Sequence, residues 1–354
     1  MKPQPDFSRF LKALKREGPP NGRVPFVELY HDKEVMEELL GEKMPEPWSS
    51  STEERRKYHQ MRVGFWVNYG YDYVPAVPNI GFEHLVISGE DKDDVRAGGR
   101  GWIDESHGVI ESWDDFEKYP WPRAEDIDYS PVEHVSHYLP DGMKIIVFTG
   151  GILEWGMNLM GYQPMALALY DAPDLVEAIL QRVGELTLAI HKTAVKHPDV
   201  GALWLGDDMG HKSGTLISAA HLREYILPWH KKLAEVSHEA GKPFLLHACG
   251  NISELMPDLL NDVGIDAKHS FEDGIQTVED FYRRYSNRIA VLGGVDLDLL
   301  CRGTEEDVRR RTREILQACA PAGGFALGSG NSVANYINIR NFLAMLDEGK
   351  RFLA

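Results

Sequence analysis

The stretch Phe244-Leu245-Leu246-His247-Ala248-Cys249-Gly250 predicts both a strand and a chemical site at the end of that strand. It follows Gly241-Lys242-Pro243, and a short apolar run after such residues is typical of a buried strand. Side chains two residues apart on extended backbone point to the same face, so His247 and Cys249 converge. Neutral imidazole and thiolate are ligands that zinc prefers. A buried cysteine is more often a small apolar core residue, and this interpretation stays open beside the metal hypothesis.

Eight short β-like runs recur along the chain, and helical patterns with apolar residues at three- and four-residue spacing separate most of them. The runs cover residues 24–29, 71–77, 144–149, 202–206, 243–247, 264–268, 289–293 and 324–327. One of the helical patterns opens with Thr304, a hydroxyl cap, followed by three acids in the first turn. Strands that alternate with helices predict an α/β fold with a parallel sheet, and eight units predict a closed (β/α)8 TIM barrel.

We expect a single domain over residues 1–354, with an N-terminal extension and an insertion at about 81–139 that interrupts the strand–helix period. A barrel of this type needs about 250 residues and tolerates insertions. The insertion is rich in aromatic residues, among them Trp102, Trp113 and Trp121. These rings predict a cap that covers a flat substrate and excludes water. The alternative is that they are core residues, as such aromatics usually are.

The composition argues against several classes of protein. With 43% hydrophobic and 26% charged residues, the chain can bury a large core, and no stretch approaches the roughly 20 apolar residues of a spanning helix. The net charge of −17 argues against nucleic acid and anionic membranes as partners. The chain has only three cysteines (Cys249, Cys301 and Cys319) and no apolar signal region at its N-terminus. We therefore expect no disulfide framework and a cytoplasmic location.

Polar side chains accumulate at the C-terminal ends of the predicted strands, where barrel enzymes hold their active sites. The catalytic candidates are Asp207, Asp208, His247, Glu154 and His269. The candidates for substrate binding are His31, Asn79, Trp102 and Asn331. The candidate metal ligands are His247, Cys249 and Glu272. For any one of them, a structural carboxylate or a helix cap is the alternative role.

Several motifs, in the right order, resemble the uroporphyrinogen decarboxylase superfamily from about Arg23 to Leu353. They are Gly206-Asp207-Asp208 with Ser218, Arg223-Glu224 and Pro228; Gly241-Lys242-Pro243 through His247-Ala248-Cys249-Gly250-Asn251; Gly293-Gly294-Val295-Asp296 with Gly303-Thr304; and Gly328-Ser329-Gly330 with Asn338 to Met345. That superfamily includes the cobalamin-dependent methyltransferases, and the resemblance is closer to this branch than to true uroporphyrinogen decarboxylases. It implies a TIM barrel and methyl transfer to or from a corrinoid.

The chain departs from the pattern of true uroporphyrinogen decarboxylases in two places. Those enzymes carry an arginine-rich N-terminal motif for the substrate carboxylates, whereas residues 24–31 contain no arginine and include Glu28. They also hold the pyrroles with an aspartate, and Asn79 stands at that position here. Because arginine is the bidentate partner of carboxylates, we do not expect this chain to decarboxylate uroporphyrinogen.

The resemblance to zinc-containing members of the methyltransferase branch is incomplete at one ligand. Those proteins use His-x-Cys and a later cysteine on the last strand, and this later position is Ser329 here. A neutral serine is a poor zinc ligand, and catalytic zinc often accepts a carboxylate instead. Asp208, Glu154 and Glu272 are the candidates for that carboxylate.

The resemblance therefore implies a corrinoid-linked methyltransferase that demethylates a small methoxylated or methylated compound. Zinc on His247 and Cys249 would activate the leaving heteroatom, and without metal a protonated glutamate or histidine would do so. The corrinoid would come from a partner protein, because nothing here resembles the Asp-x-His-x-x-Gly loop of a corrinoid-binding domain. A homodimer is compatible with the sequence. Two alternatives stay open: a carboxy-lyase for a small acid, with His247 and Asp207-Asp208 in proton transfer, and a barrel that binds a corrinoid or tetrapyrrole without turnover.

Overall fold

The computed structural model describes residues 4–17, 23–88, 101–103 and 106–352, with the backbone alone for 86–88 and 101–103. The strands are β1 Tyr73–Ala76, β2 Val86–Ser88, β3 Gly101–Ile103, β4 Lys144–Gly150, β5 Val200–Gly206, β6 Gly210–His211, β7 Gly214–Thr215, β8 Phe244–His247, β9 Ala267–His269, β10 Ala290–Leu292 and β11 Phe325–Ala326. The helices are α1 Phe7–Leu14, α2 Lys33–Leu40, α3 Thr52–Tyr69, α4 Trp113–Lys118, α5 Ser130–Tyr138, α6 Ile152–Met160, α7 Tyr162–Asp171, α8 Pro173–Ala194, α9 Ala219–His221, α10 Leu227–Glu239, α11 Met256–Asp258, α12 Val278–Tyr285, α13 Leu297–Arg302, α14 Glu305–Cys319 and α15 Ile339–Arg351.

Seven strands form one parallel sheet in the order β1-β4-β5-β8-β9-β10-β11. The registers place Gly206 of β5 opposite His247 of β8, and His247 opposite His269 of β9. The strand residues are buried on both faces, for example Ile145 and Ile146 of β4, as expected of a parallel sheet covered by helices. The sequence prediction of a parallel sheet with helical connections is confirmed.

The first predicted strand, residues 24–29, closes the barrel through a single bridge. Phe26 pairs in parallel with Leu327, which directly follows β11. On the other side, the Tyr73 hydroxyl of β1 donates to the Glu28 carbonyl at 2.5 Å and accepts from the Glu28 N–H at 2.9 Å. The Tyr73 side chain thus supplies hydrogen bonds that would otherwise join the backbones of two neighbouring strands. The predicted (β/α)8 barrel is confirmed, and its first strand, residues 24–29, is irregular.

The segment at 81–139 interrupts the strand–helix period with the antiparallel hairpin β2–β3 and the helices α4 and α5. Two of its aromatic rings pack inward: Tyr119 is buried and Trp121 is partly buried against the core. Trp113 is about half exposed. The side chain of Trp102 lies outside the described part of the structure, so its predicted role in substrate binding stays a prediction.

The hydroxyl cap predicted at Thr304 is confirmed at the start of α14. The Thr304 hydroxyl accepts from the Asp307 N–H at 3.2 Å, and the Asp307 carboxylate accepts from the Thr304 N–H at 3.3 Å. This reciprocal capping box satisfies two otherwise unpaired donors at the start of α14. Across the described ranges, no helix combines the length and the apolar character needed to cross a membrane.

Candidate active site

Three side chains from neighbouring strand ends form the centre of the candidate site. Asp208 follows β5, while His247 ends β8 and Cys249 lies two residues beyond it. One ligand atom from each of the three lies within 4.8 Å of the others, the only such group in the described residues. The C-terminal ends of parallel strands meet at one rim of a barrel, which explains why residues 41 positions apart in sequence converge here.

His247 is held with one ring nitrogen facing the cluster. Its Nδ1 lies 2.8 Å from Nδ1 of His269, which is fully buried and packs edge-on against Trp204. Its Nε2 lies 3.4 Å from Cys249 Sγ and 3.4 Å from Asp208 Oδ1. Burial lowers the pKa of His247, so the imidazole is neutral, as a metal ligand must be.

Cys249 is surrounded by polar groups that converge on its sulfur. Asn331 Nδ2 donates to Sγ at 3.2 Å, and the Ser270 hydroxyl lies 3.3 Å away. The Cys249 N–H donates to Asp208 Oδ1 at 2.7 Å. Burial, and then the Asp208 charge, raise the pKa of the thiol above its ordinary value. The thiolate therefore forms only when a cation at the site compensates its charge.

The three groups fit a zinc ion. Bond lengths of about 2.0–2.3 Å at tetrahedral angles place a nitrogen ligand about 3.4 Å from an oxygen ligand and about 3.6 Å from a sulfur ligand. The two distances from His247 Nε2, 3.4 Å to Asp208 Oδ1 and 3.4 Å to Cys249 Sγ, agree with that geometry. Three protein ligands leave one position for a substrate, which is the pattern of catalytic zinc.

Glu154, in the first turn of α6, supplies an acid beside the cluster. Burial raises the pKa of its carboxyl group well above the ordinary value, and the charges of Asp208 and Asp207 raise it further. Backbone hydrogen bonds from Gly151 and Asp208 act in the opposite direction. This carboxyl group keeps its proton to higher pH than an exposed glutamate does, which a general acid requires.

Asp207 binds the start of α6, and its predicted catalytic role stays a prediction. Its carboxylate is fully buried and accepts from the N–H groups of Ile152, Leu153 and Glu154 at 3.0, 3.3 and 3.1 Å. His230 Nε2 lies 2.7 Å from the same carboxylate. The carboxylate thus satisfies unpaired donors at the start of α6 and accepts one hydrogen bond through Oδ1 and the others through Oδ2. Its neighbour Asp208 faces the cluster instead.

Two predicted substrate-binding residues make other contacts. His31 is buried among the rings of Phe65, Trp66 and Phe342, and this burial lowers its pKa to about 3. It is a neutral core residue, which corrects the prediction. Asn79 is exposed, and its side chain accepts from the Gly81 N–H at 3.0 Å in a local turn.

The carboxylate in the cluster is Asp208, one of the three predicted candidates, and Glu272, which was also predicted as a metal ligand, is outside it. Glu272 is exposed, three residues beyond β9, and lines a neighbouring cleft of about 870 Å³. Asn331, predicted to bind substrate, lies on the wall of the same cleft and contacts the Cys249 sulfur. Asn331 thus lies between this cleft and the cluster, whose three residues do not line the cleft.

Ser329 does not offer its hydroxyl to the cluster. The hydroxyl donates to Glu28 Oε2 at 2.5 Å, and the Ser329 N–H donates to Glu28 Oε1 at 2.8 Å. Burial raises the pKa of Glu28 to about 8. Ser329 therefore binds Glu28 in the first predicted strand, residues 24–29, and does not face the three cluster residues.

The predicted site residues did not include Lys268 and Ser270, which flank His269 and approach Cys249. Lys268 is buried, and its Nζ donates to the Ser270 carbonyl. The sequence signal was a lysine in the predicted strand 264–268, because a charged side chain in a buried strand requires a specific partner.

Comparisons with known proteins agree with the fold and with the methyltransferase resemblance. The sequence model of the family described as Uroporphyrinogen decarboxylase (URO-D) matches residues 99–352. The chain is 33% identical over 174 residues to a methylated-thiol--coenzyme M methyltransferase of Methanosarcina mazei, covering 48% of this chain and 44% of that protein. It is 24% identical over 155 residues to the methylcobamide:CoM methyltransferase MtbA of the same organism, covering 42% of each. The chain thus spans less than half the length of these two relatives.

Two solved structures share the architecture. A methyltransferase from Methanosarcina mazei superposes with a TM-score of 0.67 at 17% identity, covering 98% of both chains. A B12-independent methionine synthase from Shewanella sp. W3-18-1, in complex with selenomethionine, superposes with a TM-score of 0.52 at 11% identity, covering 94% of this chain and 95% of that one. At these identities the likeness concerns the fold alone.

Proposed function

This chain belongs to the uroporphyrinogen decarboxylase family, and from that premise we propose that it is a corrinoid-linked methyltransferase. Its methyl donor would be a small methoxylated or methylated compound. The methyl acceptor would be cob(I)alamin carried by a separate corrinoid protein. The methyltransferase names of the curated relatives support methyl transfer, and one of those names specifies a methylcobamide.

The observation that carries the proposal is the convergence of Asp208, His247 and Cys249 within 4.8 Å at the mouth of the barrel. These three residues would hold zinc, which supplies a Lewis acid for the heteroatom that the methyl group leaves. An ether or amine is a poor leaving group until its heteroatom is activated. A three-ligand site with an open position is suited to this task, whereas a closed four-ligand site is not.

The surrounding residues have separate roles in this proposal. His269 fixes the ring of His247 through the 2.8 Å contact between their Nδ1 atoms, which turns Nε2 toward the metal position. Asn331 donates to the Cys249 sulfur and orients it. Glu154 holds a proton beside the site and would deliver it to the departing oxygen or nitrogen.

A second candidate is transfer in the opposite direction, from a methylcorrinoid to a thiol. The names of both curated relatives include coenzyme M (CoM), which favours this alternative. Zinc held by the same three residues would then bind the acceptor thiol as a thiolate. The carboxy-lyase alternative has less support, because Asp207 is occupied by the start of α6.

Metal content and methyl transfer, measured on the same protein, test the proposal. We expect stoichiometric zinc and, with methoxylated donors, conversion of cob(I)alamin to methylcobalamin, followed by absorbance. His247→Ala and Cys249→Ala should each abolish turnover and strongly weaken zinc binding without loss of the folded state. Cys319→Ala is the matched control, because this buried thiol ends α14 and is not part of the cluster. Normal turnover in Cys249→Ala would refute the proposed metal site, and turnover only with a methylcorrinoid and a thiol would select the second candidate.

A further inference from the structure

Ser270 adopts a backbone conformation that a serine rarely takes. Its φ is +90°, and the only other described non-glycine residue with positive φ is the exposed Arg16. Ser270 is buried directly after β9, where the chain turns toward the site. A strained residue in the left-handed region persists only when its surroundings hold it there, and such residues cluster at functional sites.

Lys268 is the group that can hold this strained residue. Its ammonium group donates to the Ser270 carbonyl oxygen. The same ammonium lies 4.2 Å from the ring centre of Phe271 and 5.5 Å from that of Phe281, which stabilise the cation through their π faces. Lys268 is buried, and the ion pairs found among the described residues do not include it, although the charges of Asp208 and Glu272 reach it. A buried charge without an ion-pair partner is costly, so its retention calls for a role.

The conformation of Ser270 determines where its hydroxyl lies. Ser270 Oγ is 3.3 Å from the Cys249 sulfur, while Asn331 approaches the same sulfur at 3.2 Å. These two polar groups fix the direction of the sulfur lone pairs. An ordinary backbone conformation at Ser270 would move the hydroxyl, since φ sets the direction of the Cα–Cβ bond.

We propose that Lys268 is a positioning residue that acts through Ser270. Its ammonium holds the Ser270 peptide in the left-handed conformation, and the Ser270 hydroxyl then holds the Cys249 sulfur toward Asp208 and His247. The geometric part stands without any metal, and the consequence for metal affinity rests on the proposed function. Groups that orient a ligand in this way typically change metal affinity by about 10- to 100-fold when they are removed.

The first test is the crystal structure of metal-free Lys268→Met beside the wild type. Methionine keeps the packing against Phe271 but cannot donate to the Ser270 carbonyl. We expect Ser270 to leave the left-handed region and its contact with Cys249 to be lost. If Ser270 keeps its positive φ and its contact in the variant, the proposal is refuted. This outcome is independent of whether the protein binds zinc.

The second test is metal affinity, measured by chelator competition with zinc and by the thiolate-to-metal absorption of the cobalt-substituted protein. Removal of a nearby cation alone would strengthen the binding of a divalent ion, whereas loss of positioning weakens it. We expect Lys268→Met to bind zinc roughly 10- to 100-fold more weakly, with a weaker cobalt–thiolate band. Ser270→Ala should show the same loss, because it removes the hydroxyl through which Lys268 is proposed to act.

The matched control is Lys242→Met. Lys242 also donates to backbone carbonyls, those of Val195 at 2.7 Å and His197 at 3.0 Å, but it precedes β8 at the opposite end of the barrel. We expect this variant to bind zinc like the wild type. Unchanged or tighter binding in both Lys268→Met and Ser270→Ala would overturn the consequence for metal affinity. Wild-type protein without any zinc would instead count against the proposed function, and the metal-free structures would still decide the role of Lys268.

Discussion

Asp208→Asn is the substitution that most directly tests which carboxylate completes the metal site. Asparagine keeps an oxygen that can accept the Cys249 N–H, now bonded to Asp208 Oδ1 at 2.7 Å, so the loop after β8 should stay in place. What is lost is the negative charge 3.4 Å from His247 Nε2. Glu272→Gln is the matched control, because Glu272 also lies beyond a strand end but outside the cluster.

The magnitude follows from the number of ligands. Four-ligand structural zinc sites bind with about 10–16 kcal/mol, or about 2.5–4 kcal/mol per ligand. Each 1.4 kcal/mol corresponds to about a tenfold change in affinity, so loss of one of the three ligands should weaken binding by roughly 10²- to 10³-fold. A weak contribution from the asparagine oxygen places the expectation for Asp208→Asn near the lower limit. Glu272→Gln should change affinity by less than about threefold.

Competition against a chelator of known zinc affinity measures both variants, and thermal unfolding checks that each is folded. The reasoning would be refuted by wild-type affinity in Asp208→Asn together with a large loss in Glu272→Gln. That result would mean that the loop carrying Glu272 folds over the cluster when metal binds. Equal losses in both variants would indicate a site with four protein ligands, which conflicts with an open catalytic position.

Four further outcomes are expected. Ser329→Cys should not tighten zinc binding, because this side chain faces Glu28, and should lower the free energy of unfolding by about 1 kcal/mol through the lost hydrogen bond, measured by denaturant unfolding. The pKa of Glu28 is raised to about 8, so the stability it confers is full below its ordinary value near 4.5 and is lost as pH rises through about 8; Glu28→Gln should flatten this dependence by roughly 2–4 kcal/mol between pH 5 and pH 9. Glu154→Gln should lower turnover roughly 10²- to 10⁴-fold and remove the decline of activity at high pH that the raised pKa of Glu154 predicts. Chromatography should detect no coproporphyrinogen from uroporphyrinogen III, because residues 24–31 lack the arginines that would bind its carboxylates.

The sequence was sufficient for the seven strands of the parallel sheet, and all three cluster residues were among the predicted candidates. The run before His247 is apolar and bounded by glycine and proline, so the position and direction of β8 could be predicted from local pattern alone. The i, i+2 spacing then placed Cys249 on the same side as His247, as the structure has it at 3.4 Å. These features depend on backbone periodicity within a few residues.

Features that depend on distant packing could not be predicted in this way. Asp207 and Asp208 are adjacent residues of the same type, and the position of α6, whose first N–H groups bind Asp207, distinguishes them. Glu28 and Ser329 are 301 residues apart and meet because the barrel closes between its first and last strands. His31 lies beyond a predicted strand end, where the alternation of side chains no longer applies, and packs into an aromatic core.

Three acids of the barrel, Asp207, Glu28 and Asp208, differ in how many of their carboxylate lone pairs already accept hydrogen bonds. Asp207 accepts three backbone N–H groups and faces His230, and Glu28 accepts both donors of Ser329. Asp208 accepts one backbone N–H through Oδ1 and keeps its remaining lone pairs near His247 and Cys249. A carboxylate can bind a metal or move a proton only through lone pairs that the fold has not used. Asp208, with one backbone donor on its carboxylate, therefore keeps more capacity for chemistry than Asp207, whose carboxylate already contacts three backbone N–H groups and His230.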